Sequence, residues 1–495
     1  MESEDKEIRV KKNSSKVIVY VARVLGLIML VLGIILAVKL GSMKLLPGKY
    51  IVIYVIAIAL ICVMMWLISK HKVLGIIMCL LAVAIQAVIV YGLVAVVRLD
   101  KTLNKISTDS RLEIVRMSVV VLKDDKATDI GDISGYKIGY NESDTAAEDM
   151  KQELSKNLGN EIEYNAYANV IFVADALLEG KEQAVIINSA YIEVLSEIEG
   201  YENFSEKVRI LDTIPVETVI EDKENDAGNS DDKDNYELSS DDDTFTVYIS
   251  GIDTYGSVNT RSRSDVNILA VVNTKTGKIQ LINTPRDYYV PLSISNGVRD
   301  KLTHAGIYGV EVSEGTLEML YGVKIDYYVR MNFSSFEKII DELGGIDVYS
   351  EYDFKVGSYQ YNKGTNHLDG KQALAFARER HAFITGDVQR GKNQMEVVKA
   401  MIGKLSSKEF LYNYDAVLEE LSDCFQTDMP KETIYALVHY QLDNSVRWTV
   451  DSYTVTGFDA HDTTYSMPGT TVYVMVPDEK AVDEAKRLIE DTLKK

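Results

Sequence analysis

The sequence predicts an α/β protein, a mixed sheet flanked by helices, preceded by a smaller α/β unit and three membrane-spanning helices. Three observations predict it. Three apolar runs of membrane-spanning length open the chain, strand-like and helix-like segments alternate after residue 99, and an almost wholly polar acidic stretch at 221–243 divides that alternating part in two. At 495 residues the chain has room for two or three domains.

The apolar runs are Val17 to Leu40, Tyr50 to Ser69 and Val73 to Val97. Each meets or exceeds the ~20 residues a helix needs to cross a bilayer. Arg23 interrupts the first near its start, where a long side chain reaches the interface. A signal peptide has a shorter apolar core and is not followed by two more spans. Lys6, Arg9, Lys11, Lys12 and Lys16 precede the first span, and Lys70 and Lys72 lie between the second and third. By the positive-inside rule these face the cytoplasm, so residues 1–98 are read as a cytoplasmic tail with three spans and everything beyond Arg98 as extracellular.

Residues 99–220 alternate strand and helix. Arg116 to Leu122, Tyr136 to Tyr140 and Ala184 to Ile187 read as strands, Thr145 to Leu158 and Ala168 to Leu178 as helices. This accessory α/β domain reads as a spacer or docking unit. The segment 221–243 carries 11 acidic residues against two lysines with almost nothing apolar, and reads as a solvated linker.

From 244 to 495 the pattern is again mixed. Phe245 to Ile252, Val266 to Val272 and Lys278 to Asn283 read as strands, the last two joined by Asn-Thr-Lys-Thr-Gly, a hairpin-turn signal. Helices follow at Glu314 to Tyr321, at FSSFEKIIDELGG with Gly344 as its stop, from the N-cap candidate Asp369 to Ala377, at Asp387 to Leu405 and at Phe410 to Cys424. The chain closes as strand, capped turn and helix.

Charge and cysteine content narrow the function. The net charge is −21, but residues 1–98 hold 12 Lys/Arg against 4 Asp/Glu, which leaves 41 against 70, a net −29, in the remainder. Nucleic acid would be repelled by that body. Of three cysteines only Cys424 lies outside the apolar runs, which excludes an intrachain disulfide or CxxC site there.

Against that acidic background the arginines stand out. Arg263 and Asp265 enter the first hairpin strand, Arg286 and Asp287 leave the second, and Asp253 ends the strand before it. An antiparallel hairpin puts those ends side by side. Arg378 and Arg380 share a face if a helix ends between them, and Asp387, Arg390 and Gln394 form one helical stripe. Lys301 is a further cation. Any one Arg/Asp pair is ordinarily a sheet-edge ion pair of little value. Five arginines flanked by carboxylates at element ends point instead to phosphate oxygens and their divalent ion. HExxH, GxSxG, GxGxxG and P-loop patterns are absent from the sequence.

The phrases GID, RSDVNILAVVN, TPRD, KLTHA, YYVRMNFSSFEKIIDELGGIDV, LDGKQALAFARER and GDVQRGKNQ, in this order behind a hydrophobic anchor, resemble the LytR-CpsA-Psr family of Gram-positive envelopes. The resemblance is specific over 244–400. It implies a transferase that moves a polyprenyl-pyrophosphate-linked glycopolymer, such as teichoic acid or capsule, to the muramic acid C6 hydroxyl of peptidoglycan. By position it makes Asp253 and Asp265 ligands of Mg2+, with Mn2+ as a substitute. Arg263, Arg286, Arg378, Arg380, Arg390 and Gln394 would hold the pyrophosphate, with Lys301 beside them. Asp287 and Asp387 would orient arginines, Asp387 also being a candidate base. Arg263, Asp265, Arg286, Asp287 and Asp387 form the expected catalytic set. Family members often carry a further Arg where this chain has Asn393.

Phosphoryl transfer needs positioning and charge neutralisation more than a covalent partner, which suits many arginines and no activated Ser, Cys or His. The helix Phe333 to Leu343 is a candidate wall for a lipid tail. Arg286→Ala or Arg378→Ala is expected to leave the fold intact and abolish transfer. Two other readings use the same residues: a polyprenyl-pyrophosphate hydrolase, and a non-enzymatic envelope regulator or sensor. The latter is disfavoured by a cytoplasmic tail of residues 1–16 without a DNA-binding pattern.

Overall fold

The three apolar runs lie within long helices, α1 (Glu2–Ser42), α2 (Gly48–Ile68) and α3 (Lys72–Ile106). In this computed structural model the described residues are 2–43, 48–106, 111–158, 162–220, 243–384, 386–407, 410, 421 and 423–494. The acidic linker, apart from Asp243, and most of the helix expected at 410–424 lie outside them. Val17–Ser42, Gly48–Ile68 and Val73–Lys101 are long and apolar enough to cross a membrane. The Arg23 guanidinium lies 5.3 Å from the Trp66 ring centroid, so the charge in the first span has a π-face beside it. Helix Lys431–Asn444, inside the stretch expected to be one domain, belongs to the same compact unit as these helices, with Lys431 Nζ 3.1 Å from Asp100 Oδ1.

The other compact unit contains both α/β bodies. In the first, β1 (Arg111–Leu122), β2 (Lys137–Asn141), β3 (Glu163–Tyr167), β4 (Ala184–Asn188) and β5 (Val208–Ile220) form a sheet of order β3-β2-β4-β1-β5. Helix α4 (Ala146–Leu158) packs Met150 and Leu154 on one face. On the other lie α5 (Val170–Leu178), capped by Asn169, and α6 (Ala190–Ser196); the short α7 (Phe204–Lys207) leads into β5. The elements β3, β5 and α6 are not apparent in the sequence pattern: Glu163–Tyr167 is only five residues long and none of them is buried, and α6 is only two turns long.

In the second body, β6 (Thr244–Ile252), β7 (Ser264–Asn273) and β8 (Lys278–Asn283) are successive antiparallel neighbours. Short β9 (Tyr289–Pro291) and β10 (Arg299–Lys301) precede α8 (Leu302–Tyr308) and α9 (Val310–Tyr321). Strand β11 (Tyr327–Asn332) then pairs parallel to β6, and α10 (Phe333–Glu342) stops where Gly344 takes φ +73°. Two small ribbons, β12 (Ile346–Ser350) with β15 (Gly364–Leu368) and β13 (Phe354–Val356) with β14 (Tyr359–Tyr361), lead to α11 (Gly370–Arg378) and α12 (Asp387–Leu405). With β16 (Gln426–Thr427) and β17 (Thr449–Thr454) the six-stranded sheet has order β16-β11-β6-β7-β8-β17. A ribbon of β18 (Gly457–Thr463) and β19 (Thr471–Pro477) leads into the C-terminal helix Glu479–Leu493. Residues Ile268–Val272 are all buried, because this central strand has cover on both faces and so reads as a continuous apolar run. Leu302, Val310, Leu317, Ala485 and Ile489 pack against Tyr248, Leu269 and Ile282 on one side.

The two α/β bodies share a hydrophobic cluster. Ile171, Ile192, Leu195 and Val208 of the first pack with Ile307, Met467, Val472 and Val474 of the second. Glu113 of β1, fully buried, is ion-paired with Arg261 and with Arg330, the latter at 2.6 Å.

Candidate active site

The register of β6, β7 and β8 brings the end of β6, the start of β7 and the end of β8 to one sheet edge, and parallel β11 ends there too. Asp253, Arg263, Asp265, Arg286 and Asp287 therefore meet. Arg263 Nη2 lies 2.5 Å from Asp253 Oδ2, and Arg286 Nη1 lies 2.6 Å from Asp265 Oδ2. Asp265 Oδ1 also accepts from the Thr303 hydroxyl at 2.9 Å. Lys301 Nζ is 3.1 Å from Asp287 Oδ1, and Asp287 Oδ2 is 3.9 Å from Arg286 Nε.

The opposite wall comes from α11 and α12. Asp369 caps α11 through a box with Gln372, and the helix ends at Arg378, so Arg378 and Arg380 leave it on extended chain. On α12 the Arg390 guanidinium is held by Asp387 at 2.7 Å, three residues back. Gly391 lets this helix approach β8: a Cβ there would lie 2.2 Å from Asn283 Nδ2. Asn393 is buried and turned away from the cavity, accepting from Gln389 and donating to the Phe376 carbonyl, so this position packs α12 on α11. Lys392 faces elsewhere, 3.7 Å from Glu351.

Between the walls lies a cavity of about 750 Å³. Asp253, Arg263, Asp265, Arg286, Arg378, Arg380, Arg390 and Gln394 line it; Lys301 and Asp287 stand behind it and act through the side chains they hold, and Asp387 borders it beside Arg390. The remaining walls are largely apolar, including Ile249, Val266, Phe333, Phe336, Val398 and Met401. The helical stripe at Phe333–Leu343 thus divides: Phe333 and Phe336 face the cavity, Ile340 and Leu343 are buried in the core.

Two lining or bordering carboxylates are in contrasting states. Burial raises the Asp265 pKa, but Arg286, Arg263 and Arg390 outweigh it and leave the carboxyl below its usual range. At Asp387 burial dominates over Arg390 and the nearby Asp287 adds to it, so the pKa is raised. Among the described residues no group of three or more His, Cys, Asp or Glu side chains could hold a metal ion. Asp253 and Asp265 are two hard oxygen donors at the cavity edge, a set that suits Mg2+ when phosphate oxygens complete the shell.

One wall was not anticipated. Helix α6, in the first α/β body, presents Glu193 and Glu197 to the same arginines. Glu197 Oε1 lies 2.7 Å from Arg263 Nη1 and 3.0 Å from Arg286 Nη2, and Glu193 Oε2 lies 2.8 Å from Arg263 Nη2. The available signal was their spacing of four, one helical face.

Comparison with known proteins places the chain in a family. The LytR_cpsA_psr family model matches residues 214–489. The polyisoprenyl-teichoic acid–peptidoglycan teichoic acid transferase TagU of Bacillus cereus is 32% identical over 191 residues, 38% of this chain; the matched stretch spans 62% of that relative, less than two thirds of its length. The transferase of the same description TagT of Bacillus subtilis is 31% identical over 263 residues, covering 51% of this chain and 77% of TagT. Among solved structures, Bacillus subtilis TagV aligns at 27% identity and TM-score 0.43 over 50% of this chain and 97% of its own. TagT bound to LIIa-WTA aligns at 30% identity and TM-score 0.41 over 51% of this chain and 91% of its own. With residues 214–489, more than half of the chain, matched by the family model, the chain belongs to the LytR_cpsA_psr family.

Proposed function

We propose that this protein is a membrane-anchored transferase that attaches a polyprenyl-pyrophosphate-linked glycopolymer, of teichoic acid or capsular type, to peptidoglycan on the outer membrane face. The observation that carries this reading is one cavity lined both by five arginines and by largely apolar side chains. A lipid pyrophosphate joins the matching parts, a dianionic head and a hydrocarbon tail. The family membership and the teichoic acid transferases among the relatives support it, as do three helices suited to crossing a membrane.

In the proposed reaction the muramic acid C6 oxygen attacks the phosphorus that carries the polymer. The bond from that phosphorus to the bridging oxygen breaks, and polyprenyl phosphate leaves with the electron pair. Asp387 accepts the hydroxyl proton, a role its raised pKa favours. Arg378, Arg380 and Arg390 face the growing charge on the phosphoryl oxygens, Gln394 donates a neutral hydrogen bond, and Arg263 and Arg286 brace the sheet edge. Asp253 and Asp265 would hold Mg2+, or Mn2+ in its place, which neutralises charge on the pyrophosphate when bound.

The test is transfer by the purified full chain in detergent, with lipid-linked polymer and peptidoglycan as substrates. Polyprenyl phosphate release should require the acceptor and be lost on treatment with EDTA. Release at the same rate without acceptor would select the hydrolase reading instead.

A further inference from the structure

The family match begins at residue 214, so α6 lies outside it. Resting on the reading above, we infer that Glu197 is a positioning residue of the active site: the first α/β body completes the site by setting this carboxylate between Arg263 and Arg286.

Arg263 and Arg286 are 5% and 7% exposed, and each already spends one edge of its guanidinium on an aspartate, Asp253 or Asp265. Two desolvated like charges side by side need an anion between them. Glu197 Oε1 is that shared acceptor, and Oε2 lies 3.6 Å from Lys301 Nζ. Without it, both guanidiniums lose a partner and repel each other, and rotating apart they take Asp253 and Asp265, the proposed metal-side carboxylates, with them.

The backbone that presents Glu197 is fixed. Tyr191, Ile192, Val194 and Leu195 are buried in the cluster shared by the two bodies, and the Tyr191 hydroxyl bonds that of Tyr308 at 3.1 Å. Glu197 itself is the C-cap of α6. A carboxylate carried on so rigid a support is built into the site rather than a mobile occupant of it. Glu193, one turn earlier, pairs among the described residues with Arg263 and has a side chain 69% exposed, so its share is smaller.

The test uses the full chain in detergent, with geranylgeranyl pyrophosphate as the binding probe and the transfer assay alongside. Glu197→Ala should bind the probe more weakly at unchanged stoichiometry, which a partly unfolded sample would lower. Its kcat/KM should fall on the order of 10–100-fold, mainly in kcat, because misaligned guanidiniums lose most against charge that develops in the transition state. Glu197→Gln, isosteric and uncharged, should lie between, and Glu199→Ala, an exposed carboxylate two residues further on, should stay near wild type. Should Glu197→Ala fail to fold, Glu197→Gln decides alone. Tighter probe binding in either Glu197 variant would overturn the inference and make the carboxylate a competitor of the pyrophosphate; unchanged binding and turnover would overturn it too. Failure of the wild-type chain to bind the probe would instead remove the proposed function on which the inference rests.

Discussion

Arg286→Ala separates an arginine that only binds from one that also holds the sheet edge together. Its guanidinium is 2.6 Å from Asp265 and 3.0 Å from Glu197, and the Asp265 side chain is 16% exposed. Removing one partner of a buried ion pair costs about 3–5 kcal/mol, since the other charge stays desolvated. Asp265 retains the Thr303 hydroxyl, which places the cost near the lower end, about 3 kcal/mol. At roughly 2–4 °C per kcal/mol for a body of this size, the midpoint should fall by roughly 6–12 °C. The assay is thermal unfolding of the full chain in detergent followed by near-UV circular dichroism. Arg286→Lys keeps the charge without the fork and should recover only part of the loss. Combining Arg286→Ala with Asp265→Asn, which removes the orphaned charge, should restore stability without restoring transfer. A midpoint for Arg286→Ala within about 2 °C of wild type would refute the buried network. Arg286→Ala is thus expected to stay folded at room temperature, but with a lower unfolding midpoint.

Arg378→Ala is the cleaner probe of chemistry. The side chain is exposed, with its guanidinium 4.1 Å from the Phe333 ring centroid, a contact worth about 0.5–1 kcal/mol. Stability should change little, while loss of a charge-assisted contact of about 1.5–3 kcal/mol should lower kcat/KM by roughly 10–100-fold; an unchanged kcat/KM would count against its contact with phosphate. Acid provides the other test. Partial burial raises the Glu197 pKa, but Arg286, Arg263, Lys301 and His304 outweigh it and hold it at about 2. A depressed carboxyl pKa contributes stability that is full above the unfolded value, about 4.3, and is lost as pH falls toward the folded value. With the side chain 38% exposed, solvent screening reduces the contribution to about 1–2 kcal/mol. The stability gap between wild type and Glu197→Gln should be full at about pH 6 and narrow below about pH 4, as read from urea midpoints. A gap independent of pH would contradict the charge assignment.

Much of the architecture was legible because local rules agree with the final fold. Lys278–Asn283 and Asp387–Leu405 match their expected ranges, and Asp369 caps α11. Period-2 and period-3.6 patterns survive wherever one face is buried and the other wet. The failures are equally local. Strand Glu163–Tyr167 is half-exposed at a sheet edge and carries no clear alternation, and α6 is too short to show a period. Asn393 could be placed on a helix from sequence but not on a face of the cavity, because α11 decides which side of α12 is packed.

By itself the sequence determined three helices long and apolar enough to cross a membrane, two mixed α/β bodies and the meeting of Arg263, Asp265, Arg286 and Asp287 at one sheet edge, since hairpin register is a short-range property. Only the tertiary structure decided which of those charges face a cavity and which stand behind it. It also decided that Glu197, 66 residues before Arg263, reaches the same guanidiniums. The docking of one α/β body on the other rests on a shared apolar cluster and on Glu113 buried between Arg261 and Arg330. Such contacts join residues far apart in the chain, and no periodicity or motif within either segment encodes them.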